Sequence, residues 1–203
     1  MTTRVHETEC LVIGSGIAGG TAALVAANAG LKVTLITKRS DPNLNNTNRA
    51  QGGIIYRGKD DSPELLTKDI LRAGREINCL ESVEFLATAG PEAVKQILID
   101  ELKVAFSHLS SAEQDEYDLT REGGHSLPRI LYSTDQTGHA IQAALTAAIE
   151  NHPNIRLVTR ATAIDLITTQ HHSDDVQARY RLQDRCLGAY VFLNETKEVV
   201  TVR

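Results

Sequence analysis

Two short apolar runs, Cys10–Ile13 and Lys32–Ile36, flank a glycine-rich turn near the start of the chain. The turn reads Gly14-Ser15-Gly16-Ile17-Ala18-Gly19, and a run of small residues suited to a helix follows it. Gly14 permits a tight turn, Gly16 lets the backbone approach a pyrophosphate, and Gly19 lets the helix sit close on the sheet. The pattern therefore predicts a dinucleotide-binding βαβ unit, with the pyrophosphate at the positive end of the helix.

Further hydrophobic patterns predict an α/β fold with a parallel sheet and an added β-meander. The predicted helices are Ser62-Pro63 to about Ala73, Cys79–Ala89, Pro91–Glu101 and Gly138–Asn151, with a break at Gly90-Pro91. A short strand is predicted over Val104–Phe106, and Ile155–Val158 is expected to be the third parallel strand. The meander is predicted from Thr162–Thr168, Tyr180–Leu182, Leu187–Leu193 and Val199–Arg203.

The composition is that of ordinary globular material, with 203 residues, 41% hydrophobic and 23% charged. The formal net charge of −5 leaves no basic surface for nucleic acid or for an anionic membrane, so neither is expected as a partner. The uncharged stretch Cys10–Gly30 could be an export signal or a membrane span, but Glu7 and Glu9 precede it and its glycines make a poor apolar helix. Neither is therefore expected.

The three cysteines, Cys10, Cys79 and Cys186, are far apart and form no Cys-x-x-Cys pair. This spacing argues against a disulfide framework and against a zinc site. We therefore expect no metal, and a chain that resides in the reducing cytoplasm.

The end of the second apolar run bears on the choice of dinucleotide. NAD sites usually carry an acidic residue there to bind the ribose diol, whereas this chain has Thr37-Lys38-Arg39. An NAD site is thus disfavoured, and the residues alone leave FAD and NADP open. The long polar loop up to Gly53 leaves the carboxyl end of this strand, where ligands of open α/β sheets bind.

Several motifs together resemble the L-aspartate oxidase family, within the succinate dehydrogenase/fumarate reductase flavoprotein superfamily. The resemblance extends over essentially the whole chain. Besides the glycine turn and Thr37-Lys38, the motifs are Asn46-Thr47-Asn48-Arg49-Ala50-Gln51-Gly52-Gly53-Ile54, Leu119-Thr120-Arg121-Glu122-Gly123-Gly124-His125-Ser126, Arg129-Ile130 and Asp135-Gln136-Thr137-Gly138.

The resemblance implies a Rossmann-like FAD-binding domain that is truncated before a capping domain. Ser15 to Ala18 would lie against the pyrophosphate, Lys38 near the adenosine ribose, and Asn46 to Gly53 under the flavin. Membrane-bound relatives tether the flavin through a histidine at the Asn46 position, so asparagine implies non-covalent FAD. The full set of implied cofactor-binding residues is Gly14, Ser15, Gly16, Ile17, Ala18, Gly19, Lys38, Asn46, Thr47, Asn48, Arg49, Ala50, Gln51, Gly52, Gly53, Thr162 and Ala163.

The implied reaction is oxidation of L-aspartate to iminoaspartate, with oxygen or fumarate as the electron acceptor. The product would feed quinolinate and hence NAD synthesis, with quinolinate synthase as a partner. Glu122 would pair with the substrate ammonium group, and His125 is a second catalytic candidate. On the alternative interpretation Glu122 is held in a surface ion pair by Arg121 or Arg129. Arg129 is otherwise expected to brace the segment.

Full-length relatives carry a capping domain and a helical domain after the matched region. The resemblance therefore implies an N-terminal part, and we expect little or no turnover from these 203 residues alone. The alternatives are a non-catalytic flavin-binding module and a superfamily member acting on fumarate or succinate, with an NADP dehydrogenase further behind.

Overall fold

A computed structural model of the protein describes residues 4–109, 116–134, 136–171, 173–181 and 183–203. Asp135, part of one motif quoted above, and Leu182, part of a predicted strand, lie outside them. The strands are β1 (Val5–His6), β2 (Cys10–Ile13), β3 (Val33–Ile36), β4 (Ile54–Ile55), β5 (Ile130–Leu131), β6 (Ile155–Val158), β7 (Ala161–Thr168), β8 (Cys186–Leu193) and β9 (Glu198–Val202). The helices are α1 (Ile17–Asn28), α2 (Asn46–Arg49), α3 (Pro63–Ala73), α4 (Leu80–Ala93), α5 (Thr137–Asn151) and α6 (Val176–Arg181), with a π-helical segment over Val94–Glu101.

The described residues form two compact units. The first unit contains the chain up to Asn45 and from Leu145 onward, and the second contains Asn46–Ala144. Each unit is described by itself below.

A three-stranded parallel sheet in the order β2-β3-β6 lies at the centre of the first unit. Val33 of β3 is in register with Cys10 of β2 on one side and with Ile155 of β6 on the other. Strand β3 is largely buried, as expected for a strand paired along both edges. The predicted βαβ unit and its third parallel strand are confirmed.

Helix α1 packs on this sheet through a face of small residues. Gly20, Ala23, Leu24 and Ala27 are buried, at the spacing of one helical face. A Cβ atom on Gly20 would lie 2.5 Å from Cδ2 of Leu145, so a larger residue there would push the helix outward. The small side chains therefore set how closely the helix sits on its neighbours.

The second sheet of this unit has the order β1-β9-β8-β7. Strands β7, β8 and β9 form the predicted antiparallel meander, and β1, which the sequence did not predict, pairs in parallel with β9. The buried residues of this sheet pack with β3 into one hydrophobic cluster, whose members are Ile36, Ala161, Ala189, Val191, Val200 and Val202.

The strand predicted over Tyr180–Leu182 is wrong in its described part, because Tyr180 and Arg181 belong to α6. Asp175 explains the helix start: its carboxylate accepts a hydrogen bond from the backbone N–H of Gln177 at 2.8 Å. Such a contact satisfies an N–H group that the first helical turn leaves without a partner. A local capping residue thus outweighed the β propensity of the tyrosine.

Helix α3 opens the helical part of the second unit as predicted. Ser62 caps it by accepting a hydrogen bond from the Leu65 N–H at 3.3 Å, Pro63 occupies the first turn, and Glu64 lies at the positive dipole end. Its buried face carries Leu66 and also the carboxylate of Asp69. Asp69 is therefore a charged group on the otherwise apolar face of the helix.

The helix break predicted at Gly90-Pro91 is wrong, since α4 continues through Pro91 and passes into the π-helical segment. Leu102 donates its N–H to the Ile97 carbonyl, five residues back, at 2.8 Å. Proline removes one hydrogen bond from the helix, but the buried face runs on from α4 into the π-helical segment. Burial of that face outweighs the lost hydrogen bond. The buried residues of the face are Val83, Ala87, Pro91, Val94 and Leu98.

The strand predicted over Val104–Phe106 is also wrong. The segment belongs to no β-ladder among the described residues, although the side chains of Val104 and Phe106 are buried. Its backbone instead makes isolated contacts, such as the Val104 N–H donating to the Leu98 carbonyl at 2.9 Å. The apolar pattern therefore indicated that these side chains are buried, but not whether the backbone pairs in a sheet.

Strands β4 and β5 pair antiparallel in the second unit, with Ile54 opposite Leu131. The sequence did not predict this pair. In the described part of the chain, no helix combines the length and apolar character that crossing a membrane requires.

Candidate functional site

The glycine turn between β2 and α1 has the geometry that its sequence predicts. Gly14 adopts a φ of +109°, which favours glycine, and donates its N–H to the Ile36 carbonyl at 2.9 Å. A Cβ atom on Gly19 would lie only 2.0 Å from the Gly14 carbonyl oxygen. The first and third glycines are therefore required by the fold itself, whereas Gly16 has an ordinary φ of −73°.

The start of α1 suits an anion. Ser15 is buried, and its hydroxyl donates to the Pro42 carbonyl at 2.8 Å and lies 3.3 Å from Oγ1 of Thr37. Among the described residues, no side chain caps this helix through a hydrogen bond, and its first turn contains no acid. The positive dipole end is thus left without a competing negative group, which fits the pyrophosphate of a dinucleotide.

Thr37 links the other predicted contacts of the first unit. Its hydroxyl lies beside Ser15, and its carbonyl accepts the N–H of Ala161, where β7 begins. Lys38 follows it and is exposed, while Thr162 and Ala163 are half-buried in β7. The structure therefore groups the predicted pyrophosphate and ribose contacts with the other predicted cofactor residues, Thr162 and Ala163, around the end of β3.

The predicted flavin loop lies in the second unit and is fixed by the start of α5. Asn46–Arg49 form the short helix α2, where the sequence predicted an irregular loop. A Cβ atom on Gly138 would lie 2.0 Å from the Thr47 carbonyl oxygen, and Gly138 donates its N–H to the Ala50 carbonyl at 3.0 Å. This close contact needs glycine at position 138 and holds the loop in place.

The end of the flavin loop and Glu122 line one open cleft of about 310 Å³. The Glu122 carboxylate oxygens lie 3.6 and 3.8 Å from the point that a Cβ atom on Gly52 would occupy. The structure thus brings together two segments that the sequence separates by about seventy residues. The residues that line the cleft are Gln51, Gly52, Gly53, Thr120, Glu122, Tyr132 and Thr134.

The alternative interpretation, in which Arg121 or Arg129 holds Glu122 in an ion pair, is wrong. Within the described ranges, no cationic side chain lies within ion-pair distance of the Glu122 carboxylate. Arg129 is instead fully buried and engaged elsewhere. Glu122 is exposed at the cleft and remains available to a ligand.

A buried charged cluster surrounds Arg129. Its Nε and Nη2 atoms donate to the two carboxylate oxygens of Asp61 at 2.8 and 2.7 Å, and its Nη1 donates to Asp69 at 2.6 Å. These contacts fit the predicted bracing role of Arg129, but the sequence predicted neither acidic partner. One signal was available for Asp69, which lies three residues after Leu66 on the apolar face of α3.

His125 faces this cluster and does not line the cleft. Its Nδ1 lies 3.2 Å from Nη1 of Arg129. Because a guanidinium group can only donate, this Nδ1 acts as the acceptor, and the imidazole proton lies on Nε2. The side chain of His125 thus lies away from the cleft, although its backbone N–H donates to the Glu122 carbonyl at 3.2 Å.

Asp69 is held in its ionised form. Burial raises the pKa of this carboxyl, but hydrogen bonds from the Ser126 N–H, Arg129 and the Ser126 hydroxyl, with the positive charge of Arg129, lower it to about 2. The net shift is downward because donors on three sides stabilise the charged form.

The Gly123-Gly124 turn offers a test of this geometry. Gly124 has a φ of +90°, so Gly124→Ala should lower the free energy of unfolding by about 1 kcal/mol, because a Cβ atom is disfavoured in that conformation. Urea unfolding followed by circular dichroism measures the loss. The matched control is Gly123→Ala, which has open space for a Cβ atom and should change stability less. Equal losses in the two variants would contradict the described turn.

The sequence also matches known proteins. The sequence profile of the FAD binding domain family matches residues 9–203. The chain is 40% identical over 190 residues to L-aspartate oxidase 2-b, chloroplastic, of Nicotiana tabacum, covering 93% of this chain and 27% of that protein. It is 37% identical over 203 residues to L-aspartate oxidase of Vibrio cholerae, covering 98% of this chain and 36% of that protein. The chain thus spans about a quarter to a third of these curated relatives.

Solved structures support the fold. The FrdA chain of E. coli quinol fumarate reductase superposes with a TM-score of 0.83 at 22% identity, covering 98% of this chain and 32% of that one. A 3-ketosteroid-delta4-(5alpha)-dehydrogenase from Rhodococcus jostii gives a TM-score of 0.76 at 21% identity, covering 100% of this chain and 45% of that one. The Rossmann-like α/β fold class is confirmed.

The resemblance to L-aspartate oxidases is confirmed by these relatives, and the family match identifies FAD as the cofactor. The residues around the glycine turn fit that cofactor, since the first turn of α1 carries no acid that would repel its pyrophosphate. The chain belongs to the FAD binding domain family.

Proposed function

We propose that this chain is the FAD-binding part of an L-aspartate oxidase, which converts L-aspartate to iminoaspartate. The observation that carries the proposal is the cleft in which the Glu122 carboxylate faces Gly52 of the flavin loop. An anionic acceptor beside the flavin loop suits a substrate with an ammonium group. The names of the curated relatives support the same substrate.

FAD is proposed to bind without a covalent bond. Asn46 is exposed and carries an amide, which does not form the tether that a histidine would. The glycine turn would hold the pyrophosphate, with Lys38, Thr162 and Ala163 toward the adenosine end. Asn46–Gly53 would run under the flavin, because that segment is fixed by Gly138 and ends at the cleft.

Within the cleft, the chain's own task is to orient the substrate. When bound, FAD would supply the two-electron oxidation of the substrate carbon, with oxygen or fumarate as the final electron acceptor. The Glu122 carboxylate pairs with the substrate ammonium, which favours L-aspartate over succinate or fumarate, since neither of these carries an amine. His125 is not proposed to touch the substrate, because it faces Arg129 outside the cleft.

The proposed reaction also bears on the fate of its product, on the cellular compartment and on the activity of the 203 residues by themselves. The product would feed quinolinate formation, with quinolinate synthase as a partner, and the three free cysteines fit a reducing cytoplasm. We expect the 203 residues alone to turn over little or no L-aspartate, because the matched region makes up only 27 to 36% of the curated relatives.

Glu122→Gln tests the role of the carboxylate in the intact protein. Removing the charge should raise the KM for L-aspartate by about 10- to 100-fold, as expected for loss of a hydrogen bond between charged groups. FAD affinity should stay the same, since Glu122 is not proposed to hold the cofactor. Steady-state oxidation of L-aspartate, followed at several substrate concentrations, measures the change.

The matched control is Glu84→Gln, which removes an exposed carboxylate from α4, away from the cleft residues. It should leave the KM unchanged. An unchanged KM in Glu122→Gln would remove Glu122 from the substrate site. Preferential turnover of succinate by the unaltered protein would favour the fumarate- or succinate-acting alternative instead.

A further inference from the structure

The turn that follows Glu122 is held from outside by charged side chains. Arg72 donates from Nη2 to the Gly124 carbonyl at 3.0 Å, and Arg129 donates to Nδ1 of His125 at 3.2 Å. Asp69 accepts the N–H and the hydroxyl of Ser126 at 2.7 and 2.8 Å. Three successive residues of the turn are therefore fixed by one cluster.

This turn needs external support because of its own sequence. Gly123 and Gly124 are adjacent, and glycine loses more conformational freedom on folding than any other residue. Gly124 also adopts a positive φ. Glu122 precedes both glycines and is exposed, so its direction depends on how the turn is held.

We propose that Asp69 and Arg129 are positioning residues, which hold the turn so that the Glu122 carboxylate faces Gly52 across the cleft. This role rests on the proposed function. It extends that function from Glu122, which pairs with the substrate, to the residues that hold Glu122 in position. Neither side chain lines the cleft, so both act through Glu122.

The contacts of Asp69 make it the centre of this arrangement. Its Oδ2 accepts three hydrogen bonds, from the Ser126 N–H, the Ser126 hydroxyl and Arg129, and its Oδ1 accepts one from Arg72. An asparagine would direct its amide N–H groups at donors on one side or the other. Asp69→Asn therefore loosens the turn with almost no change in side-chain volume.

The experiment is a double-mutant cycle in the intact holoenzyme. Asp69→Asn and Glu122→Gln are made alone and together, and the KM for L-aspartate is measured for each. Asp69→Asn should raise the KM about 10-fold, and the double variant should match Glu122→Gln alone, because Asp69 acts only through Glu122. The control is Asp100→Asn, in the exposed Lys95–Asp100 pair, which should leave the KM unchanged.

A second readout, hydrogen–deuterium exchange, follows the turn without any turnover. Asp69→Asn should speed exchange at the His125 and Ser126 amides, whereas Asp100→Asn should not. KM effects that multiply in the double variant would overturn the inference, and so would unchanged exchange. If the unaltered protein does not oxidise L-aspartate, the proposed function fails, and the exchange rates alone decide whether the cluster holds the turn.

Discussion

Arg129→Met is expected to lower the free energy of unfolding by about 3 to 5 kcal/mol, because it leaves the buried Asp61 carboxylate without its cation and removes one of the two cations that contact Asp69. Arg129 is fully buried, and the Asp61 and Asp69 side chains are only 3% and 6% exposed. Methionine preserves much of the side-chain volume of Arg129, so the loss of unfolding free energy reflects the removal of the positive charge. Urea unfolding at pH 7, followed by circular dichroism, measures it.

The pH dependence of this loss has a definite sign. The pKa of Asp69 is lowered to about 2, so the interaction stabilises the fold above about pH 4 and is lost as the pH falls through 2. From the ordinary value of 3.8, the whole shift corresponds to about 2 kcal/mol, to which the Ser126 N–H and Arg129 both contribute. The difference between the variant and the unaltered chain should therefore be largest near pH 7 and shrink in acid.

Lys95→Met is the control for Arg129→Met, since it breaks an exposed ion pair with Asp100. Exposed pairs of this kind contribute about 0 to 1 kcal/mol. A loss of that size in Arg129→Met, or a loss independent of pH, would show that the buried cluster does not carry the stability assigned to it.

Gly19→Ala is expected to weaken FAD binding about 100-fold. The added Cβ atom would lie 2.0 Å from the Gly14 carbonyl oxygen, so either the turn or the start of α1 must move. Overpacking of this kind costs about 1 to 3 kcal/mol, and 1.4 kcal/mol corresponds to a tenfold change in the dissociation constant. Titration with FAD, followed by quenching of flavin fluorescence, measures the affinity.

The control for Gly19→Ala is Gly90→Ala, a helical glycine in α4 where a Cβ atom would meet only a side-chain atom of Leu86 at 3.6 Å. That variant should keep its FAD affinity and gain about 0.5 to 1 kcal/mol of stability. Circular dichroism of both variants separates loss of folding from loss of binding. An unchanged affinity in folded Gly19→Ala would contradict the placement of the pyrophosphate.

The parts of the fold that sequence predicts best are those fixed by local chemistry. The turn from Gly14 to Gly19 follows from backbone sterics alone, and α3 follows from the Ser62-Pro63 start. Strand β6 was predictable because an apolar run after a helix is the usual next element of a parallel sheet. Each of these features depends on residues close together in sequence.

Two features that the sequence did not predict depend on distant contacts. The helix continues through Pro91 because burial of its face outweighs one missing hydrogen bond. The pairing of β1 with β9 joins the two ends of the described chain, and no local pattern reports it.

The candidate site shows the same division. The glycine turn and the flavin loop were predictable as motifs, and the resemblance named Glu122. The partners of Arg129 were not, because Asp61 and Asp69 lie 68 and 60 residues away in sequence. No helix or strand pattern in the sequence links these two residues to Arg129, so only the folded chain shows that they pair with its charge.

Non-covalent binding of FAD can be tested directly on this chain. The direct test adds FAD to the purified 203-residue chain, removes unbound cofactor and records the visible spectrum. We predict a flavin spectrum at close to one FAD per chain, with all of the flavin released into the supernatant when the protein is denatured by acid. A colourless chain, or flavin that stays with the denatured protein, would contradict the claim.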